Sequence, residues 1–243
     1  MHADAAMTSV GPVNRRQECE FCSLYELCWP AGATAAELER RHAIVGHSDA
    51  LPAGKDLFRT DDPFTAIYAV RAGCVKTYSV DADGRELVHG FHLRGELLGF
   101  DAVFPDRHRC NAKMTAKSSV CVVPYRDIVQ LSYKSARVHG HVLRLFSREF
   151  SRQLMIAEGS GGMQRIARFL LDMHARSSAP VASVHEFRLQ MSREDIANYL
   201  GIAAETLSRL LAKLQQEDLI EVKRRRVRLT DPEHLHLVAN GLI

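Results

Sequence analysis

The segment from Ser192 to Leu229 constrains the fold more than any other part of the chain. Ser192-Arg-Glu-Asp195 is a helix start: serine can accept from an unpaired backbone N–H, and the two acids suit the positive end of the helix dipole. Ile196, Ala197 and Leu200 supply an apolar side, and Gly201 permits a tight turn. A second helix is predicted from about Ala203 to Gln216, with Leu207, Leu210, Leu211 and Leu214 as its anchoring side. Leu219–Val222 and Val227–Leu229 then flank Lys223-Arg-Arg-Arg226 as a two-strand wing, and Phe187–Met191 is strand-like. Helix, glycine turn, helix, wing is the order of a winged helix-turn-helix.

That order assigns chemistry to particular side chains. The second helix of such a motif enters the major groove of double-stranded DNA. Glu205, Ser208 and Arg209 recur at three- and four-residue steps on the side opposite the leucines, with Thr206 beside them. Arginine can grip guanine O6 and N7, glutamate can accept from cytosine N4, and serine can bond several base edges. From Glu186 to Thr230 nine basic residues face seven acidic ones, so the domain is not broadly basic. Five of the nine lie between Lys223 and Arg228, which makes Lys223, Arg224, Arg225 and Arg226 the candidates for phosphate contacts.

Upstream, the pattern changes. From Leu51 to about Tyr125 short Val-, Ile-, Tyr- and Phe-rich runs alternate with turn signals, Asp83-Gly84 being a hairpin signal. This predicts an antiparallel β-roll or barrel. Residues 134–158 turn helical, with Leu143, Phe146, Phe150, Leu154 and Ala157 as an apolar stripe that suits either packing within the domain or a dimer seam. Glycines at 159, 161 and 162 end that helix, and Ser160 is placed to cap the next, from about Met163 to Arg176. Thr34 with Glu37 has the capping-box spacing for a short helix to about Gly46. The predicted fold is α+β, divided into an arm at 1–33, a roll at 34–133, a long helix and hinge at 134–162 and a DNA-binding domain at 163–243. No stretch reaches the roughly 18 apolar residues of a membrane span, and the first sixteen residues lack a signal-peptide core, so a cytoplasmic protein with no membrane partner is expected.

Three of the six cysteines crowd together: Cys19, Cys22 and Cys28 form C-x2-C-x5-C, one thiolate short of a four-ligand centre. Cys121, in Val120-Cys-Val-Val-Pro124, is a candidate fourth ligand. Cys74 and Cys110 are read as ordinary residues. Thiols alone suit zinc as readily as iron.

With C-E-F-C-S-L-Y-E-L-C near the start, G-F-H-L-R-G-E-L-L-G-F-D-A and V-C-V-V-P-Y in the roll, and M-S-R-E-D-I-A-N-Y-L-G-I-A-A-E-T-L-S-R-L-L near the end, the chain resembles the FNR/ANR branch of the CRP/FNR bacterial regulators from about Cys19 to Thr230. The resemblance implies a cupin-like, cyclic-nucleotide-binding-like roll and a transcription regulator, not an enzyme. It implies a [4Fe–4S] cluster on Cys19, Cys22, Cys28 and Cys121, whose conversion by oxygen abolishes the DNA-binding homodimer. It also implies a palindrome with TTGAT-like arms read by Glu205, Ser208 and Arg209. The charged tip at Asp83, Gly84 and Arg85 becomes a candidate contact with RNA polymerase. Phe21, Leu27 and Trp29 suit either shielding of the cluster or plain packing.

A zinc-stabilised regulator, or one gated by a small molecule such as a cyclic nucleotide, remains the alternative. Gly95-Glu96-Leu97 looks like the ribose corner of the cAMP-responsive relatives, and Arg109 could meet a phosphate; yet the Arg-Ser pair of those relatives would need serine where Cys110 stands. Two departures bear on switching. Three glycines stand before Met163, and Gln153 replaces an acidic residue whose repulsion keeps oxidised relatives monomeric, so the switch is expected to be less tight.

Overall fold

The computed structural model describes residues 45–48, 50–157, 161–177 and 185–242, and the chain divides into two compact units. Of the described residues, one unit comprises those up to Ser79 with His89–Ser151; the other comprises Val80–Val88 with those from Arg152 onward.

In the first unit two four-stranded sheets make the roll. One has the order β1 (Gly46–His47), β8 (Ser119–Pro124), β3 (Ala66–Ala72), β6 (Leu97–Leu98); the other runs β2 (Asp56–Phe58), β7 (Asn111–Met114), β4 (Cys74–Val80), β5 (Glu86–Leu93). Strand alternation divides the interior. Val120 and Val122 of β8 join Phe58, Val70, Val75 and Met114 on one side. Cys121 and Val123 point the other way, into a cluster with Ile67, Ala69 and two helices. The β3–β4 corner requires glycine: Gly73 has φ +85°, and a Cβ there would lie 2.6 Å from the Lys117 carbonyl oxygen.

The two helices are α1 (Tyr125–Lys134) and α2 (Ala136–Ala157). Helix α1 has no counterpart in the sequence-based expectation, which runs the roll to 133. The chain breaks at Ser135, whose backbone is extended and whose Oγ accepts from Val138 N at 3.4 Å. Val138, Val142 and Leu145 of α2, at four- and three-residue steps, pack on the Cys121 side of the sheet together with Ile128 of α1. The helix expected from Thr34 lies outside the described residues except at its end. There Gly46 belongs to β1, because its backbone pairs with Val122 of β8.

The second unit holds α3 (Gly162–Ser177), a three-stranded sheet of order β10 (Ile220–Lys223), β11 (Arg226–Leu229), β9 (Glu186–Arg188), and helices α4 (Arg193–Tyr199), α5 (Ala204–Gln216) and α6 (Pro232–Asn240). Ile166, Ala167, Phe169, Leu170 and Met173 form the buried side of α3. Helix α6 is a further element that the sequence-based division leaves unread. Its start is signalled by Asp231-Pro232: the Asp231 carboxylate accepts from His234 N at 3.0 Å, and proline fits the first helical position. Among the described residues no helix is long and apolar enough to cross a membrane.

Candidate nucleic-acid interface and the cysteine of the roll

Helix α4 is capped as its sequence requires, with Ser192 Oγ accepting from Asp195 N at 3.0 Å. Gly201 then turns the chain at φ +62°, and the Ile202 amide closes back on the Ala197 carbonyl. The turn presents α5 with Leu207, Leu211 and Leu214 buried and Leu210 half-buried. Glu205, Ser208 and Arg209 are left exposed on the opposite side, and Thr206 is half-buried. Among the described residues the Arg209 guanidinium has one polar contact, at 3.5 Å to Thr206 Oγ1, which leaves it available to a base edge.

Within the wing, β10 and β11 are joined by Arg224 and Arg225, Arg224 in the left-handed region at φ +57°. The five cations there are not equivalent. Glu221 binds Lys223 Nζ at 2.5 Å and Arg228 Nη2 at 2.8 Å, and Glu186 meets Arg226 Nη1 at 3.7 Å. The hydrogen bond and charge of Lys223 hold the Glu221 carboxyl below its ordinary range, with Arg228 adding to the effect. Among the described residues Arg224 and Arg225 make no ion pair. They rim a cleft of about 400 Å³ between the wing and the start of α4, together with Met191, Ser192, Arg193 and Val222. Strand alternation could not show which arginines are neutralised, because the decisive partners are acids on neighbouring strand positions.

The Asp83–Arg85 tip is exposed and locally braced: Asp81 Oδ1 accepts from Asp83 N at 2.9 Å and from Arg85 N at 2.8 Å. At the base of this segment, Asn198 of α4 donates to the Glu86 carbonyl at 2.6 Å and accepts from Val88 N at 2.7 Å. Nothing in the sequence singles out Asn198; an amide on a short helix carries no signal of such a contact.

Leu143 and Phe150 stand exposed on α2, whereas Phe146 lies against Phe100 of the roll with ring centroids 4.5 Å apart. The expected stripe is thus split, part of it packing on its own unit. The side chains of Leu154, Ala157 and Gln153, and all of Ser160, lie outside the described part of the chain, as do Cys19, Cys22, Cys28, Phe21, Leu27 and Trp29.

Cys121 is buried at 8% exposure, and its ladder partners are His47 of β1 and Ala69 of β3. Among the described residues no three His, Cys, Asp or Glu side chains gather as a metal site. Cys110 is a poor thiolate: burial, then the charge and hydrogen bond of Asp101, push its thiol well up. Cys74 is fully buried, its Sγ directed at the adjacent Val75 carbonyl. Glu96 is engaged within its own corner, its carboxylate accepting from Leu93 N at 2.8 Å. Arg109 is exposed beside the loop that carries Asp101.

Residues 164–238 match the Crp-like helix-turn-helix domain, and residues 49–134 match the cyclic nucleotide-binding domain. The chain is 34% identical over 233 residues to the transcriptional activator protein Anr of Pseudomonas protegens, covering 95% of this chain and 96% of that one. It is 38% identical over 216 residues to the transcriptional regulatory protein btr of Bordetella pertussis, covering 88% and 89%. Among solved structures, FixK2 from Bradyrhizobium japonicum superposes with a TM-score of 0.73 at 25% identity, covering 80% of this chain and 97% of that one.

Proposed function

This chain belongs to the FNR/ANR branch of the CRP/FNR family of transcription regulators, and from that premise we propose that it senses oxygen through a [4Fe–4S] cluster on Cys19, Cys22, Cys28 and Cys121. Its relatives are DNA-binding regulators rather than enzymes. On this reading low oxygen favours a homodimer that binds a palindrome with TTGAT-like arms, Glu205, Ser208 and Arg209 reading bases while the wing holds phosphates.

The observation that carries the reading is the place of Cys121. It shares one apolar cluster with Ile128 of α1 and with Val138 and Leu145 of α2. The chain that follows the three N-terminal cysteines enters the roll as β1, paired directly against Cys121. The donor set is of the right kind, and Cys110, whose thiol is pushed up by burial and then by Asp101, is not a competing fourth ligand. When bound, a cluster on Cys19, Cys22, Cys28 and Cys121 would supply oxygen-sensitive iron–thiolate and iron–sulfide bonding. The chain does the rest: four cysteines tie the arm to β8, the packing of Val138 and Leu145 on the Cys121 side of the sheet carries the restraint into α2, and Leu143 and Phe150 form the seam with a second copy. The Asp83–Arg85 tip, braced by Asp81 and charged, is the surface offered to RNA polymerase.

The test is an anaerobic visible spectrum followed by admission of air, with metal analysis. About four iron and four sulfide per chain is the expected composition. About one zinc without sulfide, or a Cys121→Ser variant with an unchanged chromophore and unchanged bleaching, overturns the reading. Replacing Gly84 and Arg85 should lower activation while leaving operator binding intact; equal loss of both refutes the polymerase assignment.

A further inference from the structure

The loop between β6 and β7 converges on one carboxylate. Gly99, at φ +101°, turns the chain out of β6 into a short 3₁₀ turn, Phe100–Ala102. There Asp101 Oδ2 accepts from Arg109 N at 2.8 Å, from Cys110 N at 3.3 Å and from the Cys110 thiol at 3.4 Å. Its other oxygen lies 3.4 Å from Nδ1 of His108. His108 is 2% exposed, stacked on Phe58 with ring centroids 3.6 Å apart and met edge-on by Phe64. Two consecutive backbone amides, a thiol and an imidazole are thus arranged around a single anion, and all but the carboxylate belong to His108-Arg109-Cys110. By the resemblance drawn from the sequence, Arg109-Cys110 corresponds to the Arg-Ser pair of the cAMP-responsive relatives.

We propose that Asp101 is a built-in anion: its carboxylate fills the place a ligand phosphate would take in this roll, closing the roll to cyclic nucleotides and fixing the loop without any ligand. The amides of Arg109 and Cys110 are the donors such a phosphate would need, and Asp101 already occupies them. A second anion there would meet a charge at hydrogen-bond distance. Burial opposes ionisation of Asp101, but the hydrogen bonds of His108, Arg109 N and Cys110, with the charge of His108, outweigh it and hold the carboxyl below its ordinary range. Phe100, one residue away, rests on Phe146 of α2, so the fixed loop also fixes a contact of the long helix. The inference does not depend on the iron–sulfur reading, since none of the four proposed ligands takes part.

Chemical rescue of the full-length protein tests it. Asp101→Ala should lower the melting temperature of the roll by roughly 4–10 °C. Formate, which fits the excised carboxylate, and inorganic phosphate at tens of millimolar should restore at least half of that loss, whereas chloride at matched ionic strength should not. Asp101→Asn keeps the space filled, so it should be destabilised and not rescued. The parent protein should show no heat of binding with cyclic AMP or phosphate. If Asp101→Ala must be refolded, the same anions should raise its yield in the same order. Equal effects of formate, phosphate and chloride on Asp101→Ala, or cyclic AMP binding by the parent, overturn the proposal.

Discussion

Removing Arg225 tests one proposed phosphate contact whose electrostatic context the structure defines. Lys223 and Arg228 share Glu221, and Arg226 faces Glu186, whereas no ion pair involving Arg225 occurs among the described residues. A cation already paired in the unbound protein must exchange one partner for another on DNA; an unpaired one only displaces counterions from the duplex. Each phosphate neutralised contributes about −0.9 to the slope of log K against log salt. A dimer sets two wings on one operator, so Arg225→Ala should flatten the slope by about 1.8. Between roughly 50 and 200 mM salt, a fourfold change, the parent should then lose about tenfold more affinity than the variant. Lys223→Ala should flatten it by less than half as much. Fluorescence anisotropy with the operator and with a scrambled duplex, each at several salt concentrations, measures both slopes. The reasoning fails if Arg225→Ala leaves the slope unchanged, or if it weakens the operator while sparing scrambled DNA.

Arg209→Ala should cost about 1–3 kcal/mol on the operator and relax discrimination at the guanine assigned to it, with the salt slope nearly kept; unchanged discrimination between operator and scrambled duplex removes it from the reading set. Gly73→Ala combines a left-handed backbone, costing about 1–2 kcal/mol, with a Cβ driven against the Lys117 carbonyl, so the loss in chemical denaturation should exceed about 2 kcal/mol. The lowered carboxyl of Asp101 sets a pH dependence. Its stabilisation is complete above the ordinary carboxylate pKa of about 4 and is lost as pH falls below that value and through the lower folded one. Melting temperatures across that acid range should therefore fall more steeply for the parent than for Asp101→Asn.

Much of the DNA-reading unit is legible in its residues. Ser192 caps where a serine followed by two acids should, Gly201 takes the left-handed turn, and the leucines of α5 fall on its buried side. These are local rules, satisfied within a few residues. The roll is less legible because its signals are non-local. Asn111–Met114 forms a strand because β2 and β4 flank it, not because its own residues favour one. Tyr125–Lys134 turns helical directly after a strand because Ile128 has a sheet face to cover. For α2 the heptad-like spacing of Leu143, Phe146 and Phe150 is real, yet Phe146 is drawn to Phe100, a neighbour 46 positions earlier that no periodicity reveals. Asp101 escaped notice for the same reason: its partners are side-chain and backbone groups seven to nine residues on.

Helix α2 offers Val138, Val142 and Leu145 to its own sheet and leaves Leu143 and Phe150 bare on another flank. On the proposed reading a second copy covers that flank, which makes pairing a matter of mass action, so the strength of the assembly rises with the amount of chain in the cell. Abundance thereby becomes an input in its own right. A scarce population stays single, and overexpression drives pairing.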